Sequence, residues 1–386
     1  MSAIRSLLAV LAAAAVLAAS GCSAPQASPQ PHPSTPSPTR TPSPTPTPDP
    51  AAALVAEMTT AQRAATVVMG HIPTTDTAAL RQYMSSGLGG FILMGANIPP
   101  TPEELRTVTA ALVTDPRLPP LIAIDQEGGD VSRLPWDDLP AADTLKDRPS
   151  GDARAAFAAR GALVADAGAN VNFGIVADVP AAPSSFIHRR ALGADPAGAA
   201  ERVAAAVEGE RAAVASTLKH FPGHGAAPGD SHHGIPSTTR TLEEWRATDA
   251  VPFAAGIDAG APLLMFGHLA YTSVDPAPAS LSPRWYAIAR SELGFDGVAV
   301  TDDLGMLGDS GVDAYADPVQ NAVAALAAGA DMVLMIAGST PDTAPRIVSG
   351  IVQAVGDGRL PAARLQEAAE RVVRLRLQLA ADITGG

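Results

Sequence analysis

The 386-residue chain has a single cysteine, Cys22, which lies in an N-terminal region that we expect to be outside the folded part. The folded part therefore has no thiol, no disulfide and no cysteine-based metal site. Aromatic residues make up only 4% of the chain, too few to suggest a long stacking cleft for a polysaccharide. Positive charge is also scarce. The formal net charge is −13 and the sequence pI is about 5.0, which argues against a nucleic-acid partner and against an anionic membrane surface.

Lysine is rare too, because it occurs only at Lys146 and Lys219 among many arginines. A lysine that is kept in such a composition indicates a need for a compact ammonium group, as in a tight pocket that contacts a hydroxyl. Lys219 begins the heptapeptide KHFPGHG at 219–225, and the segment APGDSHHG follows at 227–234. The apolar run at 213–218 predicts a buried strand, and the glycines and prolines after it predict a loop at its C-terminal end.

The first 22 residues are typical of a secretion signal. Arg5 precedes an apolar run from Leu7 to Ala19, which is too short to span a membrane and has the length of a signal-peptide core. The run ends in ASGC at 19–22, which resembles a bacterial lipoprotein box and predicts lipidation of Cys22. Ordinary signal cleavage nearby is the alternative. We therefore expect an extracytoplasmic protein that is anchored to the cell membrane by a lipid, or else secreted.

Residues 23–50 are almost entirely proline, serine and threonine. Because this segment has nothing to bury, it predicts an extended, disordered, polyproline-like tether. At about 3.1 Å per residue it could hold the folded part roughly 85 Å from its anchor. The remaining residues, 51–386, are expected to form the single folded domain.

That domain alternates between short apolar runs and alanine-rich helical stretches such as 102–112 and 153–166. Buried strands separated by helices of this length indicate βαβ units and a parallel sheet. We predict eight strands, at 65–69, 90–94, 121–124, 171–176, 214–218, 263–266, 298–301 and 332–336.

Eight such units over roughly 330 residues predict an α/β fold of the (β/α)8 TIM-barrel type. An open doubly wound sheet is the alternative, but no glycine-rich dinucleotide fingerprint follows the first strand. A barrel of this type keeps its chemistry at the C-terminal ends of its strands. The polar residues at those ends are Asp125 and Glu127, Asp178, the 219–233 segment, His268, and Asp302 with Asp303.

These motifs resemble those of glycoside hydrolase family 3, and within it the β-N-acetylglucosaminidase branch. The resemblance extends from about residue 51 to the C-terminus and rests on IDQEGG at 124–129, KHFPGHG at 219–225, DSH at 230–232 and TDDLGM at 301–306. The family's TIM barrel agrees with the strand count. Many relatives carry a second domain that supplies a general-acid glutamate, and we expect this chain to belong to the single-domain branch because it ends too soon for one.

The resemblance implies a retaining mechanism with catalytic groups on opposite sides of the sugar. Asp302 matches the family's nucleophile and would form a glycosyl-enzyme intermediate. The acid/base of this branch is a histidine on the mobile loop after the fifth strand, oriented by an aspartate two residues earlier. Here these residues are His232 and Asp230. Histidine titrates near neutral pH, so it can donate a proton and later accept one from water.

The resemblance also implies a set of sugar-binding residues. The set consists of Asp125, Arg133, Arg190, Lys219 and His220. Arg190 is followed by Ala191 and Leu192 where the family has Ser and Phe, and Asp130 stands where the family usually has arginine.

Other polar residues near these motifs have structural interpretations. We expect Asp303 to cap a helix or to organise hydrogen bonds, and His224 to fix the loop by hydrogen bonds. Glu127 is an alternative acid, although a buried carboxylate bound to backbone amides is favoured. His268 is either a substrate contact or a satisfied structural histidine, and His233 is interpreted as a loop residue.

We therefore predict an exo-acting β-N-acetylglucosaminidase that removes terminal N-acetylglucosamine from peptidoglycan fragments or related glycosides. It would act as a monomer on a small sugar or muropeptide, with no cofactor, no metal and no nucleic-acid partner. A β-glucosidase and an N-acetylglucosaminide phosphorylase are alternatives within the family. A metal-dependent barrel hydrolase with zinc on the clustered histidines and a non-catalytic sugar-binding lipoprotein are alternatives from other classes.

Overall fold

The computed structural model describes residues 49–229 and 234–385, which alternate between strands and helices. The strands are β1 (Val68–Gly70), β2 (Gly90–Leu93), β3 (Leu121–Ile124), β4 (Gln126–Gly128), β5 (Val131–Ser132), β6 (Val171–Val176), β7 (Ala215–Phe221), β8 (Ser237–Thr238), β9 (Leu263–Phe266), β10 (Ala270–Tyr271), β11 (Val298–Asp303) and β12 (Met332–Leu334). The α-helices are α1 (Pro50–Glu57), α2 (Thr60–Thr66), α3 (Thr77–Met84), α4 (Pro102–Leu112), α5 (Ala142–Leu145), α6 (Ser150–Asp166), α7 (Pro196–Glu210), α8 (Leu242–Ala247), α9 (Ala250–Asp258), α10 (Pro283–Ser291), α11 (Leu304–Asp309), α12 (Pro318–Ala328), α13 (Thr343–Gly356) and α14 (Ala362–Gly385). The predicted signal peptide with Cys22, nearly all of the predicted tether, and the predicted acid/base pair Asp230 and His232 lie outside the described residues.

Eight of the strands close into a parallel barrel, which confirms the predicted fold. Around the barrel they follow chain order as β1, β2, β3, β6, β7, β9, β11 and β12, and β12 pairs with β1. Each of the eight predicted strands corresponds to one barrel strand, and β3, β6 and β9 have the predicted ends. Helices occupy the connections between the strands, as the βαβ pattern requires.

The first predicted strand was wrong at its start, because α2 continues to Thr66 through residues that we assigned to the strand. Thr59 and Gln62 bond reciprocally to each other's backbone and begin this helix, which is the capping-box arrangement. Ala64 and Ala65 then favour its continuation, because alanine has the highest helix propensity. The strand therefore starts only at Val68.

The strand β7 is longer than predicted and ends at Phe221 rather than at residue 218. Lys219 is still in register with Val176, and Phe221 is in register with Phe266. Lys219 and His220 therefore belong to the strand itself and not to the loop that we predicted. The polar character of these two residues reflects their position at the barrel mouth, where a strand keeps its backbone pairing while its side chains leave the apolar core.

Alternate residues of the barrel strands point into two different cores, as the two-residue period of a strand requires. In β2, Ile92 belongs to the apolar cluster inside the barrel, whereas Phe91 and Leu93 belong to the cluster between strands and helices. Val372 and Leu375 of α14 also join the interior cluster. Because the interior is filled with apolar side chains, polar chemistry is left to the ends of the strands.

An antiparallel hairpin, β4–β5, rises from the C-terminal end of β3. Gly128 and Gly129 form its turn with φ values of 82° and 67°, a left-handed region that glycine enters at little cost. A Cβ atom on Gly128 would lie 2.3 Å from Nη2 of Arg160, so a larger residue would force the Arg160 side chain to move. None of the helices in the described ranges is both long and apolar enough to cross a membrane.

Candidate active site

Five charged side chains meet near the C-terminal ends of β3 and β7. The Nζ atom of Lys219 lies 2.8 Å from Oδ1 of Asp125 and 2.7 Å from Oε1 of Glu127. Arg190 donates to both carboxylate oxygens of Glu127, at 2.9 and 2.7 Å. Arg133 approaches the other side of Asp125, with Nη2 3.8 Å from Oδ2. The fold thus brings together four of the five residues predicted to bind sugar.

The charges in this cluster hold one another in the ionised state. Burial alone would lower the pKa of the Lys219 ammonium, but Asp125 and Glu127 outweigh burial and raise it. Burial alone would raise the pKa of Glu127, but Lys219 and Arg190 lower it to about 2. Glu127 is therefore a carboxylate near neutral pH and does not serve as an acid. The prediction that it binds backbone amides was wrong, because its hydrogen bonds go to Arg190 and Lys219.

The fifth predicted sugar-binding residue, His220, lies beside this cluster and is oriented by Asp178. Its Nδ1 atom is 2.7 Å from Oδ2 of Asp178. Because a carboxylate only accepts, Nδ1 carries a proton and Nε2 faces the other way, 3.5 Å from Nη2 of Arg190. Asp178 also accepts from the backbone N–H groups of His220 and His224. Burial opposes its charge, but His220 and these donors lower the pKa of Asp178.

Sequence reasoning placed Asp178 at a strand end but assigned it no role. The sequence does contain a signal. An aspartate follows the apolar strand β6 closely, and no cationic residue lies near it in the chain. A fully buried carboxylate requires such a partner, and the tertiary structure shows that the partner is the imidazole of His220 on the neighbouring strand.

The predicted nucleophile, Asp302, is half-buried at the end of β11. Burial tends to raise the pKa of its carboxyl, but the electrostatic effects of His220, His268 and Lys219 and the backbone N–H of Asp303 together lower it. The Oδ1 atom accepts that N–H at 2.8 Å. Asp302 is therefore ionised near neutral pH, as a nucleophilic carboxylate must be.

The neighbouring carboxyl, Asp303, caps α11 as predicted. It accepts from the backbone N–H of Gly305 at 2.9 Å, and from those of Ile336 and Ala337 at 2.7 and 2.8 Å. These bonds fix the end of β11 to the loop after β12. The position of Asp302 is thereby fixed as well.

The structure decides between the two interpretations of His268 in favour of the structural one. Its Nε2 atom donates to the backbone oxygen of Asp303 at 2.8 Å, and its Nδ1 atom lies 2.7 Å from Oγ of Ser280. Both ring nitrogens are thus engaged by the protein. Burial lowers the pKa of this imidazole, although the nearby Asp302 and Asp303 oppose that shift.

The hydrogen bond by which His224 fixes its loop comes from its backbone N–H, which donates to Oδ1 of Asp178 at 2.6 Å, and not from its ring. Neither ring nitrogen has a hydrogen-bond partner among the residues that the structure describes, although the residue is buried. The ring instead packs edge-on between Phe186 and His220, with centroids 4.8 and 5.9 Å away. Burial and the neighbouring His220 lower the pKa of this imidazole.

A buried glutamine, Gln126, holds the β4–β5 hairpin and was missed by sequence reasoning. Its Oε1 atom accepts from the backbone N–H groups of Arg133 and Leu134, both at 2.9 Å. Its Nε2 atom donates to Ser132 and Asp137, both at 2.6 Å. Gln126 lies between Asp125 and Glu127 in sequence, so its bonds fix the backbone that presents both carboxylates and Arg133.

Asp130, the departure from the family pattern, forms a bidentate ion pair with Arg189 at 2.9 and 3.1 Å, on the exposed rim of the site.

Within residues 49–229 and 234–385, no group of three or more His, Cys, Asp or Glu side chains is arranged to hold a metal ion.

The barrel and this constellation define a class of enzyme. The ionised carboxylate of Asp302 lies at one strand end. Side chains at other strand ends, His220 and Lys219 among them, lower its pKa. The charged side chains there can form hydrogen bonds with hydroxyl groups. This is the arrangement of a TIM-barrel glycoside hydrolase. Residues 62–375 match the family model described as "Glycosyl hydrolase family 3 N terminal domain". The chain belongs to that family and is a glycoside hydrolase.

The relatives of this chain agree with that assignment. A β-hexosaminidase of Pseudomonas aeruginosa is 42% identical over 260 residues, which are 64% of this chain and 75% of the relative. A β-hexosaminidase of Stenotrophomonas maltophilia is 35% identical over 296 residues, which are 74% of this chain and 87% of the relative.

Solved structures of the family have the same fold. A family 3 β-N-acetylglucosaminidase from a Paenibacillus species superposes with a TM-score of 0.77 at 29% identity. The match covers 85% of this chain and 64% of that one, so the chain spans less than two thirds of its length. A β-N-acetylhexosaminidase from Beutenbergia cavernae superposes with a TM-score of 0.73 at 30% identity, over 83% of this chain and 99% of that one.

Proposed function

We propose that this glycoside hydrolase is a retaining exo-β-N-acetylglucosaminidase with Asp302 as its nucleophile. The observation that carries the proposal is the half-buried carboxylate of Asp302 near the end of the barrel strand β11, where His220 and Lys219 help to lower its pKa. These two residues belong to the same group of strand ends as the other predicted sugar-binding residues. The choice of N-acetylglucosamine over glucose is supported by the β-hexosaminidase names of the relatives.

The charged cluster would hold the terminal sugar through its hydroxyl groups. Asp125 accepts hydrogen bonds only, whereas Lys219 and the guanidinium groups of Arg133 and Arg190 donate only. A sugar hydroxyl both donates and accepts, so it can bridge a carboxylate and a cation of this cluster. Because the charges already neutralise one another, the site is preorganised and needs little rearrangement when sugar binds.

The reaction would proceed by two displacements at the anomeric carbon. In the first, a carboxylate oxygen of Asp302 forms a bond to C1 while the glycosidic C1–O bond breaks, and the leaving oxygen takes a proton from His232. In the second, water attacks C1, the ester to Asp302 breaks, and His232 takes the proton from water. Asp230 would hold the tautomer of His232 and stabilise its imidazolium form.

We also propose a location and a natural substrate. The signal-like N-terminus and the ASGC sequence at 19–22 support lipidation of Cys22 and an extracytoplasmic position on the cell membrane. The tether at 23–50 would let the enzyme reach peptidoglycan fragments at some distance from the membrane. The protein would act as a monomer on these fragments.

The test compares 4-nitrophenyl β-N-acetylglucosaminide with the corresponding β-glucoside, each with and without phosphate. The proposal expects preference for the N-acetylglucosaminide and no acceleration by phosphate. Formation of a glycosyl phosphate would identify a phosphorylase, and preference for the glucoside would identify a β-glucosidase. Asp302→Asn should lower kcat by at least about 10³-fold, whereas Asp130→Asn on the rim should retain most activity. Wild-type activity in Asp302→Asn would exclude the proposed nucleophile.

A further inference from the structure

One aromatic side chain lies on the surface beside the site. Phe186, in the loop between β6 and α7, is 37% exposed and is the most exposed aromatic side chain of the described residues. Single exposed apolar side chains are common on protein surfaces, and Leu54 on α1, at 41%, is another. Phe186 differs from Leu54 in its position, because its ring contacts a ring of the site.

Three rings lead from the charged cluster to the surface. His220 lies beside the cluster, His224 packs edge-on against His220 with centroids 5.9 Å apart, and Phe186 packs edge-on against His224 at 4.8 Å. In an edge-on contact at least one face of the phenyl ring is left uncovered by its neighbour. Phe186 therefore presents a flat apolar face at the surface, with the ring of His224 between it and His220.

The loop that carries Phe186 is fixed to the site at several points. Arg190, four residues later, binds Glu127 with two hydrogen bonds. The backbone N–H of Arg190 donates to the carbonyl oxygen of Ile187 at 2.9 Å, and that of Ala181 donates to Gly225 at 3.1 Å. The position of the phenyl ring relative to the cluster is thus set before any ligand binds.

The burial gradient indicates which part of a substrate would meet this ring. Lys219 and Glu127 are only 2% and 3% exposed, so the cluster forms the closed base of the site, whereas Phe186 is at the open rim. In an exo-acting enzyme the terminal sugar fills the base. The leaving group beyond the scissile bond must then point toward the rim.

We propose that Phe186 is the platform of the leaving-group subsite and stacks against an apolar face of that group. The group is a second pyranose ring in a natural substrate or an aryl ring in a synthetic one. This inference rests on the proposed function, because it takes the charged cluster as the site of the terminal sugar. Phe186 would then influence which leaving groups are preferred and would not contact the terminal sugar.

The experiment measures kcat/KM of Phe186→Ala, Phe186→Leu and Phe186→Trp on N,N′-diacetylchitobiose, on a nitrophenyl glycoside and on the methyl glycoside of N-acetylglucosamine. The inhibition constant of free N-acetylglucosamine is measured in parallel, because this ligand occupies the base only. Leu54→Ala is the matched control for loss of an exposed apolar side chain.

We expect Ala and Leu at position 186 to lower kcat/KM on the disaccharide and the aryl glycoside by about 5- to 10-fold, the size of one aromatic contact. The methyl glycoside and the inhibition constant should change less than about twofold, and Phe186→Trp should retain activity. Phe186→Leu still covers His224 but has no flat face. If it behaves like wild type while Phe186→Ala is impaired, Phe186 only shields His224 and the proposal is overturned. Equal losses on all ligands, or none, also overturn it.

A failure of the proposed function gives a different result. If the wild type prefers β-glucosides, the same variants are compared on cellobiose and methyl glucoside, and the expected contrast at Phe186 is unchanged. A wild type that turns over neither kind of glycoside would end both proposals.

Discussion

Replacing Glu127 with glutamine tests the electrostatic description of the charged cluster. The carboxylate is buried between Lys219 and Arg190, and its pKa is lowered from 4.5 to about 2. A difference of this size between the unfolded and the folded chain corresponds to about 3 kcal/mol of stability at pH 7. Because the folded-state pKa is the lower one, this stability is fully present above pH 4.5 and is lost as the pH falls toward 2.

The variant Glu127→Gln should therefore be less stable than wild type by about 3 kcal/mol at pH 7, and by less than about half of that at pH 3. Urea unfolding, followed by circular dichroism at several pH values, measures both numbers. Glu292→Gln is the control, because Glu292 forms an ion pair with Arg246 on the surface, and its loss should cost at most about 1 kcal/mol. A penalty for Glu127→Gln that is the same at pH 7 and pH 3 would refute the reasoning, since a packing defect does not titrate.

Four further outcomes are expected. His232→Ala should impair substrates with poor leaving groups far more than activated aryl glycosides, because only the former need protonation; equal losses would remove His232 from the acid role. Asp178→Asn should lower kcat/KM by about 10- to 100-fold and change the pH profile, because Asn has one accepting oxygen, and where the backbone N–H groups occupy it the NH2 group faces Nδ1 of His220 and favours the other tautomer; an unchanged profile would contradict this. Gln126→Ala should raise KM more than it lowers kcat and should destabilise the fold by about 3 kcal/mol, because the backbone at Arg133 is released; an unchanged KM would contradict a positioning role. Treatment with a chelator should leave activity intact, whereas a loss that zinc restores would favour the metal-dependent alternative.

Much of the barrel was predictable because its signal is local. The apolar runs that become β3, β6 and β9 are short, buried on both faces and bounded by loop residues, so their ends could be assigned from the sequence. The errors occurred where local signals overlap. The alanines before β1 continue a helix, and the polar residues Lys219 and His220 still pair as part of β7.

The residues of the candidate site were predictable from the sequence, but the ion pairs and hydrogen bonds between them were not. The motifs named Asp125, Lys219 and Arg190, yet nothing near Lys219 in the chain indicates that it binds a carboxylate 94 residues away. The same holds for Glu127 and Arg190, which are 63 residues apart. Sequence reasoning therefore assigned Glu127 to backbone amides, the nearest donors available.

The sequence by itself determined the parallel barrel and the residue types available at its mouth, because strand periodicity and chain order are properties of neighbouring residues. Only the tertiary structure decided which charges neutralise one another, which nitrogen of His220 carries the proton, and that the ring of His224 packs between two other rings. Those outcomes depend on closure of the barrel, which brings the ends of distant strands within hydrogen-bonding distance and removes them from water. Burial then makes each unpaired charge costly, so the folded geometry selects the partners.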